Sequence, residues 1–381
     1  MNSSETINNL FKNENLTRMG LRDVPWPETM VGWTNQGYPF SEEKYIDDYS
    51  GKDKFSEFNI EKYPMDSIDY FDMDLAKCGF YWDVLPIKGF SEIIEESETW
   101  TITRNGAGAH LKYLKVLSGC PEHINFEMTS REVWEKKYKP HLLEFDGTRV
   151  DTELMTKKLR MRKSENRFTY FSSMFVWETL RSCLGDVCLY ESMLLEPEWI
   201  HDFCRTYTDF YKELMDYIFD EVGKPDGVLL LEDLGYKNGL FCSPKTYDTL
   251  IFPYYREIVE YLHSKGIWAM LHSCGGVAEA LPLIADAGFD MLNPMEVKAG
   301  CDVVEFAKEY KDKFVFMGGL DARILESGDL SLIKKEVKRI TDEMKKIQAR
   351  YIFGSDHSLS SNVSFDSFKC AVDVFRENMF Y

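Results

Sequence analysis

The stretch GIWAMLHSCGG, residues 266 to 276, is an apolar run of strand length that closes on a histidine and a cysteine one residue apart, followed by two glycines. A run that is apolar at consecutive positions reads as a strand buried on both faces, which is the signature of a parallel sheet. Five more runs share this pattern: RFTYFSSMF (167–175), GVLLLED (227–233), FDMLNPM (289–295), KFVFMGG (313–319) and RYIFGSD (350–356). Amphipathic segments separate them. In DLSLIKKEVKRITDEMKKIQA (329–349), Leu332, Ile333, Val337, Ile340 and Met344 share one helical face, with lysines and acids opposite. Strand–helix alternation of this kind predicts a (β/α)₈ TIM-type barrel, with the missing strands drawn from the first part of the chain. An open doubly wound sheet is the alternative, but no glycine-rich dinucleotide fingerprint follows any strand.

The first part of the chain reads differently. Residues 1–150 are irregular, aromatic and acidic, and the segments GFYWDVLPI, SEIIEESETWTITRN, AHLKYLKVL and HINFEMT between residues 79 and 129 alternate like antiparallel strands. The glycines of NGAGAH read as a hairpin turn rather than a phosphate cradle. The expected organisation is therefore an N-terminal extension with a β-hairpin region, residues 1–150, packed on the main part of the barrel, residues 151–381.

Composition narrows the function. The chain of 381 residues carries 64 acidic and 45 basic side chains, a formal charge of −19. No net positive field is available to displace phosphate counterions, which argues against nucleic acid and against an anionic membrane surface. No apolar core of a secretory signal stands at the N-terminus, and the nine cysteines form no CxxC pair or disulfide framework, so reduced thiols in a cytoplasmic protein are expected. Cys183, Cys188, Cys204 and Cys370 lie in helix-like stretches and read as core fillers.

The strand ends carry the chemistry. Active sites of such barrels gather at the C-terminal ends of the strands. Here those ends hold Glu232 and Asp233, His272 and Cys274, Asn293 and Glu296, Asp321 after Gly318 and Gly319, and Asp356 with His357. On a strand, His272 and Cys274 project to the same side, and an imidazole beside a thiol is a borderline-soft donor pair suited to zinc. The pair reads equally as a packed cysteine and a capping histidine. A third donor would favour a metal, and His357 is the candidate, leaving one coordination position open as a catalytic site requires. Neighbours on a strand face opposite ways, so one of Glu232 and Asp233 is expected at the barrel mouth. Glu232, Asp233 and Glu296 are candidates for proton transfer or for completing the metal shell, and Asn293 and Asp356 for contacts to substrate. Asp321 reads as a helix cap and Glu336 as a solvated helix residue.

Residues 165–380 resemble the uroporphyrinogen decarboxylase superfamily. The resemblance rests on LEDLGYKNGLFCSPKTYDTLIFPYYREIVEYLHSKG, AMLHSCGGVAEALPLIADAGFDMLNP, FMGGLDARIL and YIFGSDHSLSSNVSFDSF, taken in order. True uroporphyrinogen decarboxylases have an arginine-rich R-Q-A-G-R segment near the N-terminus, whereas PWPETMVGWTNQGYP here holds no arginine. HSCGG is similar to the H-x-C-G of the cobamide-dependent methyltransferases, whose zinc is held by that histidine, that cysteine and a later cysteine. The resemblance implies zinc on His272 and Cys274, with His357 where the later cysteine would fall. It implies a zinc-dependent methyltransferase working with a corrinoid (cobamide) on a partner protein. The hard or borderline third ligand suits an oxygen leaving group, such as that of a methoxylated aromatic. Two alternatives stand beside it. One is a metal-free decarboxylase-like lyase using Asp233 and His357; the other is a non-catalytic tetrapyrrole- or corrinoid-binding protein. A homodimer is left open.

Overall fold

A computed structural model describes residues 1–41, 55, 58, 60–79, 82–115 and 121–381. Eight parallel strands surround one interior: β1 Gly20–Leu21, β2 Leu75–Lys77, β3 Phe168–Met174, β4 Gly227–Leu231, β5 Trp268–His272, β6 Met291–Asn293, β7 Val315–Met317 and β8 Tyr351–Phe353. Their order in the sheet is β1-β8-β7-β6-β5-β4-β3-β2. The two ends meet through Asp74, whose backbone N–H donates to the Leu21 carbonyl at 3.0 Å and whose carboxylate accepts from the Leu21 N–H at 2.9 Å. Arg18 pairs with the same carboxylate at 2.6 Å, so a buried acid at the seam is both hydrogen-bonded and charge-balanced. The expected barrel is present, and all six apolar runs read from the sequence are strands of it.

The two strands that the periodicity left unassigned come from residues 1–150, where each is only two or three residues long. The same part of the chain forms a four-stranded antiparallel sheet, Ser91–Glu96, Trp100–Asn105, Ala109–Leu114 and Glu122–Phe126, with the NGAGAH glycines at its second turn. One alternating segment departs from expectation. In GFYWDVLPI, residues 80 and 81 lie outside the described residues, and Trp82 makes a single bridge to Val150. Pro86 lacks the donor that a ladder needs.

The barrel interior is closed at its N-terminal end. The helix Ser3–Lys12 lays Ile7, Leu10 and Phe11 under the strands. Phe11 stacks on Phe168 and Trp268, with ring centroids 5.3 Å and 5.1 Å apart. Burying one such ring contributes about 1.5–3 kcal/mol. Above this plug come Leu229, Met270, Met291 and Ile352, so polar side chains are left to the opposite end. Among the described residues no helix is long and apolar enough to cross a membrane.

Outside the barrel, the helix Val176–Leu195 is broken at Gly185, which adopts φ 70°. A Cβ there would lie 2.3 Å from the Phe126 ring, so the break seats the antiparallel sheet against the helix. Next to Phe126, Glu127 gathers Arg104, Lys137 and His110. Burial acts to raise its carboxyl, but the hydrogen bonds from those three groups outweigh it and hold it down at about 2. A carboxyl lowered in the folded state stabilises the fold above its unfolded value and loses that contribution as pH falls toward the folded one. The melting temperature of the wild type is therefore expected to fall more steeply than that of Glu127→Gln as pH drops from about 4.5 to about 2. Parallel acid limbs in thermal denaturation would show the cluster to be energetically idle.

Candidate metal and active site

The C-terminal ends of β4, β5 and β6 bring three of the sequence candidates together. Strand geometry separates the neighbours Glu232 and Asp233, as expected. Asp233 turns to the mouth, where its Oδ1 accepts a hydrogen bond from the Cys274 N–H at 2.8 Å and lies 3.8 Å from His272 Nε2. Cys274 Sγ is 3.3 Å from the same Nε2. One donor atom each from Asp233, His272 and Cys274 lies within 4.8 Å of the other two, the one such group of three or more among the described residues. The side chains of His272 and Asp233 keep 27% and 38% of their exposure, enough for a small molecule to reach them.

The HSCGG turn is held rigidly. Gly275 adopts φ 81°, and a Cβ on it would lie 2.2 Å from the Gly235 carbonyl carbon, so neither its conformation nor its space admits a side chain. Its N–H donates to Glu296 Oε2 at 2.7 Å, and the Gly276 N–H donates to the Tyr236 carbonyl at 2.9 Å. Glu296 is buried, and Lys298 reaches its other oxygen at 3.1 Å. It therefore braces the turn that presents Cys274.

The donor set fits a borderline metal ion. Burial, with the charges of Asp233 and Glu296 behind it, pushes the Cys274 thiol up. A divalent cation held between the three groups would reverse that direction, because positive charge favours the thiolate. An oxygen, a nitrogen and a sulfur donor within 4.8 Å of one another at a partly exposed strand end could hold a zinc ion and leave a coordination position for another molecule.

The remaining candidates lie elsewhere. His357 is not in the cluster: its ring stands edge-on to Trp26, centroids 6.3 Å apart, and its Nδ1 lies 3.2 Å from the Ser358 carbonyl oxygen. Glu232 is fully buried and points away from the mouth. It accepts from the N–H groups of Phe175 at 2.7 Å, Trp177 at 2.7 Å and Glu178 at 3.2 Å, and from the Tyr255 hydroxyl at 2.6 Å. Burial nevertheless pushes its carboxyl up to about 8. Asp356 is buried and accepts from the N–H groups of Val297 and Ala322, joining the loops after β6 and β7. Asp321 caps the helix Ala322–Glu326, as read. Asn293, the last residue of β6, contacts His272.

Three residues at this end were missed in the sequence. Lys77 is paired in register with Tyr170, an interior residue, so it projects inward from the end of β2. Arg22 follows β1 and places its Nε 3.3 Å from the Tyr170 hydroxyl. Both are buried. An arginine thus stands three residues upstream of PWPETMVGWTNQGYP, and the mouth is not without cations. Glu178 stands just inside the helix after β3, paired with Arg181 at 2.6 Å. Burial, opposed by Arg181 and reinforced by the charge of Asp233, pushes its carboxyl up to about 7. Glu178 also lines a cavity of about 680 Å³ between that helix and the antiparallel sheet. The signal for all three was position at or shortly after the end of a barrel strand, but two of those strands stand among charged residues and form no apolar run.

Residues 187–378 match the family model described as uroporphyrinogen decarboxylase (URO-D). The matched segment holds β4 to β8 and with them Asp233, His272 and Cys274. A search of curated proteins finds no match. Among solved structures, a methyltransferase from Methanosarcina mazei superposes with a TM-score of 0.67 at 12% identity, covering 99% of this chain and 99% of that one. At that identity the likeness is one of fold. A B12-independent methionine synthase from Shewanella sp. W3-18-1, in complex with selenomethionine, gives a TM-score of 0.42 at 10% identity over 82% of this chain and 83% of its own.

Proposed function

The chain belongs to the uroporphyrinogen decarboxylase (URO-D) family, and on that premise we propose that it is a zinc-dependent methyltransferase. It moves a methyl group between a small methylated substrate, such as a methoxylated aromatic, and the cobalt of a corrinoid carried by a partner protein. The observation that carries this reading is the convergence of Asp233, His272 and Cys274 at the open end of the barrel. In this reading Asp233, rather than His357, is the third ligand. Zinc held there supplies Lewis-acid stabilisation of the oxygen or sulfur that gives up or accepts the methyl group.

The chain's own residues do the rest. Glu296 and the two glycines of HSCGG hold Cys274 in place, and Asp356 ties the neighbouring loops. Glu178, with its carboxyl near 7, is suited to give a proton to a leaving oxygen and to take it back. Arg22 and Lys77 favour a substrate that is anionic or becomes so, as a phenolate does on losing its methyl group. A reduced corrinoid reaches the mouth on a separate protein, and the reaction belongs in the cytoplasm.

The reading is tested by incubating the zinc-loaded protein with cob(I)alamin and a panel of methyl ethers, thioethers and methylamines. Methylcobalamin is expected to appear in the absorption spectrum with an ether donor and to be absent after chelation. Turnover of a small organic acid to carbon dioxide that survives chelation would instead establish the metal-free lyase. Corrinoid binding without turnover of any donor would establish a carrier.

A further inference from the structure

His272 has two ring nitrogens, and they face different neighbours. Nε2 faces the cluster, 3.3 Å from Cys274 Sγ and 3.8 Å from Asp233 Oδ1. Nδ1 lies 2.6 Å from Asn293 Oδ1. A neutral imidazole carries its proton on one nitrogen only, and a lone pair on Nε2 requires that proton on Nδ1. Which of the two holds depends on the amide of Asn293. That amide has a second contact: its Nδ2 lies 3.3 Å from the Met317 carbonyl oxygen. A carbonyl only accepts, so the NH₂ must face Met317 and the Oδ1 must face His272. An Oδ1 only accepts as well, so the proton sits on Nδ1.

We propose that Asn293 is a positioning residue: oriented by the backbone of β7, its amide holds His272 in the Nδ1–H tautomer and aims the Nε2 lone pair into the cluster. The arrangement rests on strand register rather than on a loop. His272 and Asn293 are paired partners at the ends of β5 and β6, and Met317 ends β7. Two hydrogen bonds thus link three successive strands along the rim. Asn293, read from the sequence as a contact to substrate, has both heads of its amide engaged in this chain. The value of the tautomer to the enzyme rests on the metal reading above; the tautomer itself does not.

The test begins on the metal-free, full-length protein with ¹⁵N-labelled histidine, at a pH where the ring is neutral. Long-range ¹H–¹⁵N spectra report which nitrogen is protonated, and His272 is identified by the signals lost in His272→Gln. The expected result is a protonated Nδ1 and a bare Nε2. In Asn293→Leu the ring is expected to move toward the Nε2–H form, and Zn²⁺ affinity, read by competition with a chromophoric chelator, to fall about 10- to 100-fold. Asn293→Asp keeps an acceptor at Nδ1 and is expected to keep the tautomer. A wild-type ring protonated on Nε2 overturns the proposal, and so does an Asn293→Leu protein with unchanged tautomer and zinc affinity. Should Asn293→Leu fail to fold, the wild-type spectrum still decides. The expected tautomer in a protein that binds no zinc upholds the positioning role and removes the metal reading instead.

Discussion

Cys274→Ala is expected to abolish bound zinc and to lower methyl transfer by about 1,000-fold or more, on the order of 4 kcal/mol in activation free energy. The expectation follows from the small number of donors. With Asp233, His272 and Cys274 as the whole protein contribution, loss of the sulfur leaves an oxygen and a nitrogen, too few for a stable catalytic site. The thiol contributes little to packing, since Cys274 is only partly buried and lies on a turn fixed by Gly275, Gly276 and Glu296. The variant should therefore fold with an unchanged melting temperature in the absence of metal. Two companions sharpen the reading. Asp233→Asn should weaken zinc, since it removes the one formal negative charge among the three donors other than the thiolate. His357→Ala should keep its zinc, because that ring packs on Trp26 instead. Metal content by mass spectrometry of the purified proteins, beside the cobalamin assay, checks all three. Full zinc and full rate in Cys274→Ala would remove the metal site from the mechanism altogether.

The fold was legible because buried parallel strands write themselves as apolar runs, and six of eight did so. Gly20–Leu21 and Leu75–Lys77 did not, for two reasons. Charged residues flank them, Arg22 and Asp23 after the first and Asp74 before the second, so no apolar run forms around either, and Lys77 at the end of the second projects inward where Val or Ile is usual. The site was partly legible for a related reason. The i, i+2 rule that places His272 and Cys274 on one side also separates Glu232 from Asp233, and both consequences hold in the structure. What the rule could not supply is the direction of residues beyond a strand's last hydrogen bond. His357 follows β8 by four residues, after a glycine, and its ring direction is set by Trp26, which is distant in the sequence. A role for Asn293 beside His272 needed the pairing of β5 with β6, which is a matter of register and not of local pattern.

Glu232 is where a sequence reading and a geometric one make opposite predictions, and the outcome is large in either case. A carboxylate at the end of a barrel strand reads as an acid or base, and burial raises this one to about 8, which fits that role. Its surroundings fit another. Both oxygens are occupied by donors: the N–H groups of Phe175, Trp177 and Glu178 at the start of the helix Val176–Leu195, and the Tyr255 hydroxyl. Those N–H groups have no intrahelical partner, and a negative charge there also suits the helix dipole. Each buried donor left unmade costs about 1–3 kcal/mol. Glu232→Ala is therefore expected to destabilise the protein by about 3–5 kcal/mol after local relaxation, near the largest effects seen for single substitutions. Glu232→Gln keeps one accepting oxygen but turns an NH₂ toward two of the donors, so a smaller loss is expected. Because the Trp177 indole also donates to the Asp233 carbonyl at 2.7 Å, a loosened helix start should disturb the metal cluster only secondarily. Urea unfolding, set against methyl transfer per folded molecule below the transition, separates the two roles. A structural cap gives unstable variants whose folded fraction still turns over. An essential acid or base gives Glu232→Gln near wild-type stability and no turnover, and in that case the proton chemistry lies on Glu232 rather than on Glu178.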